Sequence, residues 1–364
     1  MLCTHRVEIL FFVQKRYFSV FSVLSVVNVL FSERRDMRNG ADRLTVPVVL
    51  ADRVYMSESA LAEISLLGGY AWAEAEGDGD LAKKIKGSSA VKIIVSEYVP
   101  ISARVMDQAP GLKGIIAYGA GYDHVEVKEA AKRMIQVCNC RGENAQAVAE
   151  LTFAILLALL RRVSRADAWV RAGEWPKAGR ILPEWATGEE LRGKTLGLVG
   201  VGQIGSRVAR IAGGFEMKVI AFDPFLKSFP AGLTGVPLEV LLSRADILSF
   251  HAPLTARTEG MIDRRAIEWI KPGAVIVNTS RGKIFDEAAL GEALAARRIK
   301  GAALDVFADE PIGRDHPLVK MDQVILTPHI GALSREAGER LAAAVARQSR
   351  DILQGRPPEC LIQQ

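Results

Sequence analysis

Three side chains in the second half of this 364-residue sequence have types that suit one another and a single reaction: Arg281, Glu310 and His329. An arginine presents a fixed fork that matches a planar carboxylate. A histidine exchanges a proton near neutral pH, and a nearby glutamate can hold its ring and balance its charge. Each follows a short apolar run. Arg281 lies in Thr279-Ser280-Arg281-Gly282 after Ala274–Asn278, Glu310 in the segment after Gly301–Asp305, and His329 in Thr327-Pro328-His329-Ile330-Gly331 after Gln323–Thr327. These are the parts that hydride transfer to a 2-oxo acid needs: a clamp that also polarises the carbonyl, and a source of the proton. A source of hydride is legible upstream. Gly200, Gly202 and Gly205 have the G-x-G-x-x-G spacing, follow the apolar run Leu196–Val199 and open a helical stretch, Gln203 to Ala212. The first glycine allows a tight turn, the second lets a pyrophosphate approach the backbone, and the third lets helix and strand pack closely. Asp223 ends the next candidate strand, Lys218–Phe222, where an acid accepts hydrogen bonds from an adenosine ribose.

These groups need a scaffold that brings strand ends to one edge. Between residues 195 and 327 six apolar strand candidates alternate with helical patterns: Leu196–Val199, Val219–Phe222, Ile247–Phe250, Ala274–Asn278, Gly301–Asp305 and Gln323–Thr327. Six is the count of a doubly wound dinucleotide fold. Upstream, residues 45–144 read as a smaller α/β unit. Its strands are expected at Val46–Leu50, Ala71–Ala75, Val91–Val95, Leu112–Ala117 and Ile135–Cys138, with helices at Ser57–Leu67, Ile101–Gln108 and Val125–Met134. Two of its loops follow strands and face the place where ligands gather in open sheets, Ser96-Glu97-Tyr98 and Gly119-Ala120-Gly121. His124, just beyond the second loop, is expected to hydrogen-bond locally. A helix over Asn144–Arg162, capped by Asn144 and apolar around most of its circumference, suits the junction between the two units. Gly173–Trp185 reads as irregular, and Ser334–Leu353 as a last helix with Ser334 at its start. The expected architecture is α/β, with two Rossmann-like parallel-sheet domains and a catalytic cleft between them.

Composition narrows the class. The apolar fraction of 49% and charged fraction of 24% are those of a soluble globular protein. Four cysteines, Cys3, Cys138, Cys140 and Cys360, are too few for a disulfide scaffold and fit a reducing cytoplasm. The five histidines show no metal-ligand spacing, so no metal is expected. Residues 1–44 differ from the remainder. They hold seven Lys/Arg and four Asp/Glu, so +3 of the formal +5 lies there, and the small remaining excess implies no nucleic-acid partner. They also carry the apolar run Tyr17–Phe31, short for a spanning helix. A targeting or anchoring segment is one reading, a disordered tail another. The favoured one is an upstream extension before a true start at Met37, because the α/β pattern begins cleanly near Leu44 without it.

Over about residues 45–355 the chain resembles the D-isomer-specific 2-hydroxyacid dehydrogenase family. The marks are the glycine loop with Asp223, His251-Ala252-Pro253-Leu254-Thr255, Asn278-Thr279-Ser280-Arg281-Gly282, the stretch from Ala303 to Pro311, and Thr327–Gly331. The resemblance implies NAD as cofactor, held by Gly200, Gly202, Gln203, Ile204, Gly205 and Asp223, with Pro253, Thr279 and Ser280 alongside and Asp305 on the nicotinamide amide. It implies Arg281 as substrate clamp, the Glu310–His329 pair for the proton, and substrate loops at Ser96, Glu97, Tyr98, Gly119, Ala120 and Gly121. It further implies that 145–330 is the NAD-binding domain, that 331–364 returns to complete a substrate-binding domain at 45–144, and that the protein is a homodimer. Asp123-His124-Val125-Glu126, where the family often has Asp-Asn-Ile-Asp, departs from the pattern. The expected substrate is a small 2-oxo acid, glyoxylate or hydroxypyruvate. D-3-phosphoglycerate dehydrogenase, phosphite or formate dehydrogenase and a non-enzymatic corepressor-like module remain as alternatives.

Overall fold

The computed structural model describes residues 44–362; the readings of the Tyr17–Phe31 run and of Met37 lie outside them. The first sheet contains β1 (Val48–Leu50), β2 (Tyr70–Trp72), β3 (Ile93–Ser96), β4 (Gly114–Ala117) and β5 (Gln136–Asn139). Their order is β2-β1-β3-β4-β5 and every neighbouring pair is parallel. Between them run α1 (Glu58–Leu66), α2 (Asp78–Lys84), α3 (Ala103–Gln108) and α4 (Val127–Lys132). Val48, Leu50, Ile93, Ile94, Val95, Ile115 and Ile116 are fully buried, because helices cover both faces of a parallel sheet. Helix α2 has no counterpart in the sequence reading. Its seven residues, DGDLAKK, offer only Leu81 and Ala82 to the core, too little periodicity to mark a helix.

A long helix α5 (Ala145–Leu160) leads to the second unit, followed by α6 (Val163–Arg171) and α7 (Trp175–Ala178). The stretch expected to be irregular is thus partly helical. Arg162, in the left-handed region at φ 55°, breaks what would have been one helix from 145 to 171. Asn144 does not cap α5 with its side chain, and its Oδ1 is buried without a partner among the described residues.

The second sheet holds β6 (Thr195–Val199), β7 (Lys218–Phe222), β8 (Leu233–Gly235), β9 (Ile247–Phe250), β10 (Val275–Asn278), β11 (Gly301–Leu304) and β12 (Val324–Leu326). Its order is β12-β11-β10-β9-β6-β7-β8, all parallel. Counted from β6, this is the doubly wound 3-2-1-4-5-6 order, with β8 as its third strand and β12 added as a seventh beyond the sixth. There are seven strands where six were expected. The one not expected, β8, is a three-residue edge strand whose Thr234 and Gly235 face solvent, so it carries no apolar signature. Helices α8 (Gln203–Gly214), α9 (Leu238–Arg244), α10 (Arg264–Trp269) and α11 (Glu287–Ala295) join these strands. The last helix, α12 (Arg335–Leu353), begins at Ser334, whose Oγ accepts from Ala337 N at 3.1 Å. It then packs on the first sheet. Leu341, Ala342, Val345, Ala346 and Ile352 are buried with Val48, Leu50, Ile93, Val95 and Ile116. At Gly114 the approach is so close that a Cβ would lie 2.6 Å from Ile352 Cδ1.

Candidate active site

The strand order puts a switch point between β6 and β9, where adjacent strands send their connections to opposite faces and a crevice opens. The glycine loop lies there. Gly200 takes φ 92°, and at Gly205 a Cβ would come within 2.1 Å of Gly200 O, so the third glycine is required by space. At Gly202, by contrast, a Cβ would meet nothing within 4 Å: the loop is open on that side. Helix α8 starts at Gln203 with no side-chain cap, so its first N–H groups face that open side. Asp223 is tied into the same loop. Its Oδ2 accepts from Val201 N at 2.9 Å and its Oδ1 from Phe225 N at 3.0 Å. Gln203 turns its side chain to Arg207, Ile204 packs on the core beneath, and Pro253 is exposed at the end of β9 with its carbonyl accepting from Thr258 Oγ1. His251 is not an acid–base group here: its ring lies against Ser249 Oγ at 2.9 Å, and burial pushes it down to about 3.

The residue that aims Arg281 is Asn278, which sequence reasoning passed over. Almost wholly buried, it donates from Nδ2 to Arg281 O and accepts from both Ser280 N and Ser280 Oγ. The loop is pressed so tightly on the next one that a Cβ at Gly282 would collide with Phe307 C at 1.9 Å. Thr279 points away, to Thr152 on α5 at 3.0 Å, and so fastens the strand end to the connecting helix. Arg281 itself crosses to the first unit, where its Nε donates to Asp123 Oδ1 at 2.9 Å.

Glu310 and His329 meet as their types suggested, with Nδ1 and Oε2 2.7 Å apart. Glu310 is held below the usual carboxylate range. Burial acts to raise it, but the hydrogen bonds from His329 and Phe307 N and the charges of His329 and Arg281 outweigh that. His329 has φ 52°, a left-handed conformation unusual for a side-chain-bearing residue. Asp305 is what holds it there. This carboxylate is 1% exposed, and it accepts from Thr327 Oγ1, Ile330 N and Gly331 N at 2.6, 2.9 and 2.8 Å. The Asp305 carbonyl accepts from His329 N. Asp305 is therefore the clasp of the histidine loop.

The first-unit loops approach this pair. Tyr98 sets its ring edge-to-face against His329, centroids 5.8 Å apart. Glu97 is beside it; burial pushes its carboxyl up to about 7, the Asp52 charge adding and the Tyr98 hydroxyl and His329 opposing. Ser96, expected in the substrate site, is fully buried, and its hydroxyl donates to Asp52 and to Val99 O. Asp52, another residue the sequence did not mark, accepts as well from the backbone N–H groups of Glu97, Tyr98 and Val99, and so shapes the loop. Gly119 turns the chain at φ 126°, Ala120 O accepts from Asn139 Nδ2, and Gly121 lies under Arg281. His124, expected to bond locally, instead reaches the other loop, its Nε2 3.2 Å from Ser96 O. The structure thus unites Arg281, Glu310, His329, Glu97, Tyr98 and Gly121 around one cleft, and gives Ser96, Thr279 and Asp305 supporting positions behind it. Among the described residues no His/Cys/Asp/Glu group could hold a metal.

Residues 153–331 match the family described as D-isomer specific 2-hydroxyacid dehydrogenase, NAD binding domain. A glyoxylate reductase of Thermofilum pendens is 39% identical over 287 residues, 78% of this chain and 84% of that protein. A D-3-phosphoglycerate dehydrogenase of Mycobacterium leprae is 37% identical over 316 residues, 86% of this chain and 58% of that protein. The solved structure of a Thermus thermophilus protein superposes with a TM-score of 0.78 at 36% identity, covering 87% of this chain and 100% of that one. By class, then, this is an NAD-dependent oxidoreductase. The chain belongs to the D-isomer-specific 2-hydroxyacid dehydrogenase family.

Proposed function

We propose that the protein reduces a small 2-oxo acid, glyoxylate or hydroxypyruvate, to its D-2-hydroxy acid. The observation that carries this reading is the meeting of Arg281 with the Glu310–His329 pair at the edge of the nucleotide crevice. The glycine loop fits NAD: it is open at Gly202, backed by free N–H groups of α8, and flanked by Asp223. Bound there, NADH supplies the hydride. Arg281 binds the substrate carboxylate and polarises the carbonyl oxygen. His329, oriented through Nδ1 by Glu310, gives the proton from Nε2 to that oxygen as charge develops. Apposition of the two units over the cleft keeps water from the reacting atoms. Ser280 and Pro253 line the cofactor side, Thr279 braces that strand end from behind through Thr152, and Asp305 keeps the histidine loop in register with it.

Steady-state rates with NADH and a panel of 2-oxo acids test this. Glyoxylate or hydroxypyruvate is expected to exceed pyruvate, 2-oxoglutarate and 3-phosphohydroxypyruvate in kcat/KM. The phosphorylated compound, which the name of the Mycobacterium leprae relative brings into view, meets Glu97 and no Lys or Arg in the 96–98 loop. Glu97 is deprotonated above about pH 7 and protonated below it, so it repels a phosphate most at high pH. Discrimination against 3-phosphohydroxypyruvate should therefore relax between pH 8 and 6. Glu97→Gln should remove that part of the pH dependence which the phosphate's own titration does not explain. A higher kcat/KM for the phosphorylated compound at pH 8 overturns the choice of substrate.

Asp223 favours NAD(H) over NADP(H), because a carboxylate accepts the ribose hydroxyls and repels a 2′-phosphate. Asp223→Ala removes that acceptor and also the anchor of Val201 N. It should weaken NADH binding by about tenfold or more, as the loss of a charged hydrogen bond does, with a smaller change for NADPH. Fluorescence titration of both nucleotides checks this; a tighter NADH complex in the variant would contradict it.

The homodimer is also part of this proposal. Val163, Val170, Trp175, Ile181 and Leu182 are exposed between residues 163 and 182, apolar side chains that a second copy would cover. Light scattering at micromolar concentration reports the assembly. No helix among the described residues is long and apolar enough to cross a membrane, and the free thiols Cys138, Cys140 and Cys360 suit a reducing cytoplasm.

A further inference from the structure

We propose that Asp123 is a positioning residue for the reaction: reaching from the first unit, it holds the Arg281 guanidinium of the second in the orientation that receives a 2-oxo acid carboxylate. This rests on the reading of Arg281 as the substrate clamp. The arginine is confined on three sides. Its Nε donates to Asp123 Oδ1 at 2.9 Å, and its Nη1 donates to Ser280 O at 2.8 Å. Its Nη2 lies directly on the backbone of Gly121, where a Cβ would be 1.5 Å from that nitrogen and 2.7 Å from Cζ. Among the described residues Nη2 makes no hydrogen bond, so it is the prong left for a ligand.

Each of these contacts has a physical consequence. Fixing a long arginine side chain costs rotamer freedom. Here the fixing is done by protein groups, so that cost does not fall on substrate binding. Asp123 is suited to the task because it stays ionised. Burial acts to raise its carboxyl, but the Arg281 charge and hydrogen bond more than offset this and bring it below the usual range. A charge-assisted bond to Nε sets the direction of the whole planar group, because the guanidinium does not flex. Gly121 is needed for a different reason than most loop glycines. Any side chain at 121 would occupy the place of the guanidinium itself. Because Asp123 and Gly121 belong to one unit and Arg281 to the other, the clamp is complete only when the two units are apposed.

The test compares Asp123→Ala, Asp123→Asn and Arg281→Ala. Three quantities are measured: kcat and KM for glyoxylate with NADH, the Kd of oxamate for the enzyme–NADH complex, and the Kd of NADH. Asp123→Ala should lower kcat by about 10- to 100-fold, the scale of a misplaced clamp, and weaken oxamate binding by about 5- to 30-fold because the ligand must now order the arginine itself, with NADH affinity unchanged. Asp123→Asn keeps an oxygen that accepts from Nε, and should recover at least about a third of the wild-type kcat. A kcat within about twofold of wild type in Asp123→Ala overturns the proposal. Equal impairment of the alanine and asparagine variants overturns it as well, since the hydrogen bond would then not be what matters. Arg281→Ala separates this from the underlying reading. If that variant keeps wild-type KM and oxamate affinity, Arg281 is not the clamp and both ideas fall. If it is impaired while Asp123→Ala is normal, only the positioning role falls.

Discussion

Replacing His329 by alanine lowers kcat for 2-oxo acid reduction by about 10²- to 10⁴-fold, the contribution of a positioned proton donor, and leaves NADH affinity intact. The expectation follows from where the ring sits. Its backbone is held in a left-handed conformation by the Asp305 clasp, and its Nδ1 is taken by Glu310 at 2.7 Å. The clasp involves the backbone of the loop and the Thr327 hydroxyl, so removing the imidazole does not undo it. Glu310→Gln provides the complementary measurement. The amide keeps the shape and one hydrogen bond to the ring but cannot counter a positive charge on it. The variant should lose reduction activity first at the alkaline end, with kcat/KM declining at a lower pH than in the wild type. Profiles from pH 5.5 to 9.5 at saturating NADH decide this. An alkaline limb in the same place for both proteins would show that Glu310 orients the ring without retaining its proton. An alanine variant with near-normal kcat would remove His329 from the proton step altogether.

The second large effect is expected at Arg281. Arg281→Lys keeps the positive charge but loses the fork, the Nε bond to Asp123 and the flat contact with Gly121. A lysine ammonium on a flexible stem should misplace the carboxylate by enough to lower kcat/KM about 10²-fold, felt in KM as well as kcat. NADH binding should not change, since the glycine loop and Asp223 lie on other strand ends. Near wild-type kinetics for the lysine variant would mean that charge alone suffices. The reading that a fixed, oriented guanidinium is needed would then be wrong.

Most of the second unit was legible because its strands are apolar runs flanked by glycine and polar caps. Lys218–Phe222 and Ile247–Phe250 agree with the structure to the residue. What was missed carries little apolar signal: α2 contributes two core residues, and β8 is a polar edge strand. The end of the long helix at Arg162 was read, but α6 beyond it was not, since a nine-residue helix with no buried residue leaves no core-facing pattern. At the site, residue types and spacing pointed to Arg281, Glu310 and His329, because few side chains can clamp a carboxylate or pass a proton. The roles of Asp52, Asp123 and Asn278 and the loop-holding hydrogen bonds of Asp305 were not legible. Each works by hydrogen-bonding to a backbone or side chain that the fold brings near, and an isolated Asp or Asn in a loop looks the same whether it does this or faces water.

The packing of α12 has a bearing on how the molecule comes into being. The strands of the first sheet are made early in synthesis, yet one of their faces, with Val48, Leu50, Ile93 and Ile116, is covered by Leu341, Val345 and Ile352. The half that leaves the ribosome first is thus the half that is finished last. The second sheet, whose strands all fall between residues 195 and 326, can close its core while α12 is still unmade. During that interval the part of this face that Ala60 and Ile64 of α1 do not cover waits in the open, as exposed as in a chain cut short before Ser334. Nascent protein of this design depends on rapid release of α12, or on a chaperone that shields the waiting face until that helix arrives.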